Sequence, residues 1–361
     1  MKMYIGLDVH CKSTVYICQD ENGNELGRGT VPTSTAGLET MLSTLAAPEG
    51  TRIGLESGTQ MYLVTRILTD AGMDAVVINA AEVRAKIYRR GQKSDYRDAL
   101  AICEGIRSEI YSSIVYVPDE SIRRLRSILS RRRHFIGVRT AQVNAAKYVL
   151  RSVGHADLVR SLNRQMAWER LLAEESVAQI RSHLVLHYRM WLQADASVAV
   201  LEEELSAALQ PFADEMALLQ SVAGVGIITA ASFIAAVGDI SRFAQCRHLA
   251  SYLGLVPSTH NSGPVQRHGR ITRNGPAYVR AALCQAAHHA ARSTSPFNPW
   301  WRKICGRSGY RRAVVAVAHR LVRVMYAIWR DRRPLSTEQL GVEQCQQVTV
   351  AKKLYRLRRS A

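Results

Sequence analysis

The chain has 361 residues, 47% of them hydrophobic, enough to bury a core and, at ordinary domain size, to form two or three domains. Lysine and arginine outnumber aspartate and glutamate by 48 to 30, a formal net charge of +18; basic residues recur along most of the length, and a polyanion is the expected partner. The seven cysteines show no CxxC or zinc-like spacing and read as reduced cytosolic thiols, while the absence of a signal-like segment or a long apolar run argues for a soluble cytoplasmic protein with no membrane partner.

Taken in chain order, Tyr4–Val9, Thr14–Gln19 and Glu25–Val31 read as strands, the last two joined across the turn Glu21-Asn22-Gly23-Asn24. A helix is expected over Ala36–Leu45, a strand over Arg52–Glu56, a helix near Tyr62–Ala71, a strand over Ala75–Ile78 and a helix from Asp95 to about Arg107. The order βββαβαβα, three antiparallel strands followed by parallel ones with crossover helices, is that of ribonuclease H-like nucleases. The predicted fold class is therefore α/β in region 1–117 and all-α beyond it, with a helical, coiled-coil middle at 118–215 and a mainly helical domain at 216–361.

Within the middle region Ile180, Leu184, His187, Trp191, Ala194, Val198, Leu201, Leu205 and Ala208 step alternately by four and three, a seam that faces a partner helix. If that helix belongs to another copy, the protein is a dimer or higher; if not, it is packed inside its own chain. From Leu218 glycine returns in Gly224-Val225-Gly226, followed by an alanine-rich helix through Val237, a polar turn-rich stretch after Pro257, and helices across Pro276–Arg292 and Arg311–Arg330.

Two sets of residues carry candidate chemistry. Asp8 sits in an apolar strand where an ionised carboxylate is costly unless it meets a cation, and Glu56 ends a second such strand. Asp95 and Asp98, three apart at a helix start, share one face. Oxygen-only ligation by this Asp-Glu-Asp-Asp set favours Mg²⁺ or Mn²⁺, and a pair of such ions can clamp the attacking and leaving oxygens of a phosphodiester. Taken singly, the acids have plainer roles: Asp95 as a helix cap, Asp98 as a helix-dipole partner, Glu56 as a surface residue.

In the second set, Gly224 and Gly226 form a helix-hairpin-helix turn whose backbone amides can approach a phosphate, or else a tight turn needing glycine for its backbone. Ser262, in Pro257-Ser258-Thr259-His260-Asn261-Ser262-Gly263-Pro264, precedes Arg267, His268, Arg270, Arg273 and Arg280. Cations beside a serine stabilise an alkoxide and an adjacent phosphate, and Arg267 and Arg270 are the expected contacts. By composition alone Ser262 is a turn residue.

The segments GLDVHCKS, LESG, KSDYRDA, the GVG hairpin and GLVPSTHNSG followed by RHGRITRNGP occur together and in order, and by them the chain resembles the insertion sequence 110 family of transposases, the bridge-RNA-guided recombinases, over nearly its full length. The resemblance implies a RuvC-like domain binding Mg²⁺ through Asp8, Glu56, Asp95 and Asp98, a coiled-coil linker, and a C-terminal domain whose nucleophile is Ser262. It also implies a covalent phosphoserine, double-stranded donor and target DNA, a guide RNA, and a homo-oligomer, dimer or tetramer. Ser258, four residues earlier, is the competing serine. The rival readings are a metal-dependent Holliday-junction or structure-specific nuclease using water, and a catalytically idle nucleic-acid-binding protein.

Overall fold

The small and apolar run Ile5-Gly6-Leu7 becomes the centre of β1 (Met3–Val9), the middle strand of a five-stranded sheet. Beside it β2 (Ser13–Asp20) and β3 (Glu25–Pro32) form an antiparallel meander, and after α1 (Thr35–Thr44) the strand β4 (Arg52–Glu56) pairs with β1 in parallel. The helix α2 (Met61–Asp70) crosses over to β5 (Asp74–Ile78), giving the order β3-β2-β1-β4-β5. Two further helices follow, α3 (Ala80–Ile87) and α4 (Asp95–Arg107). This is the mixed sheet expected of a ribonuclease H-like unit, with α3 as an addition. The computed structural model describes residues 2–87, 94–159, 162–262 and 265–335.

The chain divides into two units, 1–118 and 119–361. The second opens with α5 (Glu120–Ser152), capped by the Asp119 carboxylate accepting from the Ile122 amide, then α6 (Gln165–Ala173) and the 28-residue α7 (Arg181–Ala208). α5 and α7 lie antiparallel, joined by Arg132–Glu202 and Arg139–Asp195 ion pairs and a His187–Gln142 hydrogen bond. Leu184, Trp191, Ala194, Val198, Leu201, Leu205 and Ala208 are all buried. The buried heptad seam therefore faces α5 of its own chain.

α8 (Ala213–Gln220) and α9 (Ile227–Val237) flank the Gly224 turn, and α10 (Cys246–Tyr252) leads to a two-stranded hairpin of β6 (Pro257–Ser262) and β7 (Val265–Ile271). The stretch read as a turn-rich connection between helices is thus an antiparallel ribbon. α11 (Ala277–Ala290), α12 (Asn298–Ser308) and α13 (Tyr310–Asp331) complete the unit. The expected boundary at 215/216 marks no break in packing, because Ile122 and Leu125 of α5 and Leu201 and Leu205 of α7 share one core with Phe233, Leu249, Leu283 and Leu321.

The division also sorts the charge. Residues 1–118 carry 12 basic and 14 acidic side chains, net −2, leaving 36 against 16, net +20, in 119–361. Basic residues do recur throughout, but in the first unit acids cancel them, so the attraction for a polyanion resides in the second.

Candidate active site

The first unit gathers its acids by a simple device. β1 pairs with β4 so that Gly6 faces Gly54 and Leu7 faces Leu55, which sets Asp8 level with Glu56 one residue further on. Side chains two apart in a strand share a face, so Gly6 with Asp8, and Gly54 with Glu56, lie on one side of the sheet. α4 packs on that side. A Cβ at Gly6 would lie 2.1 Å from the Ala99 carbonyl oxygen and 2.4 Å from the Cys103 amide, and one at Gly54 would meet the methyls of Ile102 and Ile106 at 2.9 and 2.8 Å. The glycines let the helix lie on the strands, and its first turn then reaches the carboxylates at their ends.

That first turn is capped by Ser94, whose hydroxyl accepts from the Arg97 amide; Asp95 is not the cap, which leaves its carboxylate free to face the site. His10 Nε2 stands 3.3 Å from Asp8 Oδ2 and 3.4 Å from Asp95 Oδ2, and suitable atoms of Asp8, His10 and Asp95 all lie within 4.8 Å of one another. Both contacts are longer than the roughly 2.7–2.9 Å of a charge-assisted hydrogen bond. Burial pushes the Asp8 carboxyl pKa up; His10 pulls it down, and repulsion from Asp95, Asp98 and Glu56 raises it further. Asp95, Asp98 and Glu56 are therefore each near enough to act on Asp8. Glu56 has a cationic neighbour in Arg84, whose Nη2 lies 3.5 Å from its Oε1.

A carboxylate-rich set of this kind fits a divalent cation, which would relieve the repulsion on Asp8. His10 is the member that sequence reasoning missed. Its signal was the spacing Asp8-Val9-His10, which continues the strand alternation and returns the ring to the face of Asp8.

The second set is only partly brought together. Ser262 ends β6, paired with Val265; its side chain, like those of Arg267 and His268, lies outside the described residues. Arg270 is exposed on β7, and Arg273 has left-handed backbone, φ +57°. Arg280 is not a free cation: its Nη1 donates to the carbonyls of Leu253, Asn274 and Gly275 and ties down the base of the hairpin. Gly254 and Gly275, both at positive φ, lock the same base, where a Cβ would strike Asn274 and Tyr252 backbone. Ser258 sits at a register shift in the ribbon, and a Cβ on Gly269 would lie 2.3 Å from its hydroxyl.

Gly224 has φ +90°, and its Cβ would lie 2.6 Å from the Ala286 carbonyl oxygen on α11. It is fixed by backbone and packing. Gly226, the N-cap of α9, has no neighbour within 4 Å of where a Cβ would stand, so of the two it alone has an open approach.

A ribonuclease H-like sheet with clustered carboxylates, coupled in sequence to a basic helical unit, defines a class of enzymes that act on nucleic-acid backbones. Comparison with known proteins narrows the class. Residues 5–155 match the DEDD transposase family of IS110 elements, and residues 216–305 match the family described as Transposase IS116/IS110/IS902. A probable family 20 transposase of Pseudomonas aeruginosa is 30% identical over 253 residues, 67% of this chain and 74% of that one. The transposase of insertion sequence element IS1111A of Coxiella burnetii is 29% identical over 67% of this chain and 68% of its own length. A pilin gene-inverting protein of Moraxella bovis is 26% identical over 47% of this chain and 54% of its own. The chain belongs to the IS110/IS116/IS902 family of transposases. It is an enzyme of DNA cleavage and strand transfer, and no helix among its described residues is long and apolar enough to cross a membrane.

Proposed function

We propose that this transposase cuts and rejoins donor and target DNA through a phosphoserine at Ser262, assisted by Mg²⁺ held by Asp8, Glu56, Asp95 and Asp98, with the sites chosen by an RNA encoded in its element and the work done by an assembly of several copies. The observation that carries the reading is the presence in one chain of a unit with an acidic cluster and a unit of net charge +20 that bears a serine in an arginine-flanked ribbon. The Ser262 oxygen forms a bond to the scissile phosphorus as the bond to the leaving strand oxygen breaks. A hydroxyl of the incoming strand then attacks the same phosphorus and releases the serine, so the phosphodiester count is conserved. Bound Mg²⁺ supplies charge neutralisation at the phosphate oxygens. Asp8 and Glu56 hold their places from rigid strands, and Asp95 and Asp98 from the capped first turn of α4.

Ser262 rather than Ser258 is favoured by the family resemblance, and the Ser258 hydroxyl faces the Gly269 backbone across the ribbon. RNA guidance is supported by the family resemblance and by a positive charge that suits RNA and DNA alike. The test is a denaturation-resistant protein–DNA band formed with Mg²⁺, donor and target duplexes and RNA from the element's flanks. The band is expected with wild type and Ser258→Ala and not with Ser262→Ala or Asp8→Ala. Cleavage with no band, indifferent to Ser262→Ala, would instead assign the chemistry to water.

A further inference from the structure

On the side of the second unit where α10 meets α13, arginines line a cavity of about 590 Å³. Arg320, Arg323, Ala327 and Arg330 follow one another at three- and four-residue steps and so occupy a single stripe of α13, and Gln245 and Cys246 at the start of α10 form the opposite wall. Arg320 and Arg330 are about 15 Å apart along the helix. A fourth arginine is brought in by the way the helix ends. Arg332 adopts φ +50°, costly for a non-glycine residue by about 1–2 kcal/mol, and its guanidinium is anchored 2.6 Å from Glu215. The reversal turns the Arg333 amide back to the Ile328 carbonyl and places Arg333 at the end of the cavity.

The charge here is only partly neutralised, since among the described lining residues Asp331 is the one carboxylate against four arginines. Arg330 is held by Asp331 at 2.7 Å, but among the described residues no carboxylate forms an ion pair with Arg320, Arg323 or Arg333. Two of the guanidiniums are pre-positioned by rings, Arg320 over Trp300 and Arg330 over Tyr326, at 5.6 and 5.3 Å from the centroids, which reduces the entropy lost when they grip an anion. A stripe of arginines with net positive charge in a concave groove is suited to a row of phosphates.

We infer that this groove holds the phosphodiester backbone of duplex DNA, without reading its sequence, in the unit that also carries Ser262. This rests on the proposed DNA-joining function and adds a place where the substrate is held. One feature of the described lining selects a duplex over an unpaired strand. The lining offers no free ring on which a base could stack, since Tyr326 is 3% exposed and lies under Arg330 with its hydroxyl donating to the Phe243 carbonyl. α10 connects the groove to the chemistry: its N-terminal end lines the cavity, and five residues beyond its C-terminal end β6 begins.

The test is binding of a labelled duplex of about 25 base pairs, unrelated to the element's ends, across a salt series, with single-stranded RNA of the same sequence in parallel. Each phosphate contact contributes about 0.9 to the slope of log affinity against log salt. Arg323→Ala, which alters an exposed side chain, is expected to reduce the slope by about 1. The triple change R320Q/R323Q/R333Q should reduce it by about 2–3 and weaken binding at least about tenfold at physiological salt, whereas R320K/R323K/R333K should keep the slope, because charge and not shape is what counts. Duplex binding by the wild type with the same slope in every variant overturns the groove and leaves the proposed function standing. Loss confined to the RNA arm also overturns the assignment to DNA. A wild-type protein that does not bind the duplex at all overturns the proposed function as well.

Discussion

Asp8 is a residue whose charge opposes folding. Its carboxyl pKa is raised in the folded protein by burial and by the neighbouring acids, so folding favours its protonated form. The stabilisation from protonation is fully present below the unfolded-state value near 3.9 and is lost as pH rises through the higher folded-state value. At neutral pH an ionised Asp8 therefore costs stability that a divalent cation returns. Asp8→Asn is expected to raise the melting temperature of the metal-free protein at pH 7, by about 2–4 °C for each kcal/mol recovered, to erase the upward shift that Mg²⁺ or Mn²⁺ gives the wild type, and to abolish strand cleavage. Thermal scans of both proteins with EDTA and with each metal measure this. A destabilised Asp8→Asn with its metal shift intact would mean that Asp8 is an ordinary hydrogen-bonded carboxylate. His10 was not legible as part of this site, because a histidine two residues after an aspartate at a strand end is indistinguishable in sequence from a surface residue until α4 brings Asp95 to its other side.

At the scale of elements, the packing of α4 on the sheet sets the site, and three glycines grade that dependence. At Gly6 a new Cβ meets α4 backbone at 2.1 Å, at Gly54 it meets isoleucine methyls at 2.8–2.9 Å that can shift, and at Gly58 nothing lies within 4 Å. Gly6→Ala should thus cost about 3 kcal/mol or more and weaken metal binding by moving Asp95 and Asp98 away from Asp8, Gly54→Ala should cost about 1–2 kcal/mol, and Gly58→Ala should stay within about 0.5 kcal/mol. Denaturant unfolding with metal titration would rank them, and equal costs at Gly6 and Gly58 would mean that α4 is not fixed by contact with β1. The same packing explains what was readable. β1 to β5 and α4 were legible nearly to the residue, since each is a short apolar or periodic run bounded by turn or capping residues. α3 was missed because among its described residues it buries only Val83 and shows no apolar face. The β6–β7 ribbon was missed because Pro257-Ser258-Thr259-His260-Asn261-Ser262 lacks the apolar alternation of a strand that packs on a core. The heptad seam was legible as a seam, but spacing cannot say that its partner is α5 of the same chain.

For the whole molecule, the proposed function assigns metal ligation to a unit of net negative charge and the nucleophile and DNA grip to a unit of net positive charge. The unit of net charge −2 has its own apolar core around Ile5, Leu7, Leu38, Ile53 and Leu68, and it contains all four predicted carboxylates together with His10. An acidic cluster in a unit without excess positive charge has no long-range attraction for a polyanion, so the substrate must be brought to it by the unit of net charge +20. Residues 1–118 expressed alone are accordingly expected to fold cooperatively, as a domain with its own core does, and to show the same Mg²⁺- or Mn²⁺-induced rise in melting temperature as the full chain. The fragment should show no salt-dependent duplex binding and form no covalent adduct. Calorimetry and anisotropy on the fragment and the full chain decide this. Duplex binding by the fragment comparable to the full chain would place the DNA grip in the carboxylate unit and remove the reason for a separate basic one. A fragment that folds and binds metal yet leaves DNA untouched would explain how one chain combines an Asp8 repelled by its neighbouring acids with a polyanionic substrate: metal lowers the repulsion locally, while arginines elsewhere in the chain supply the attraction.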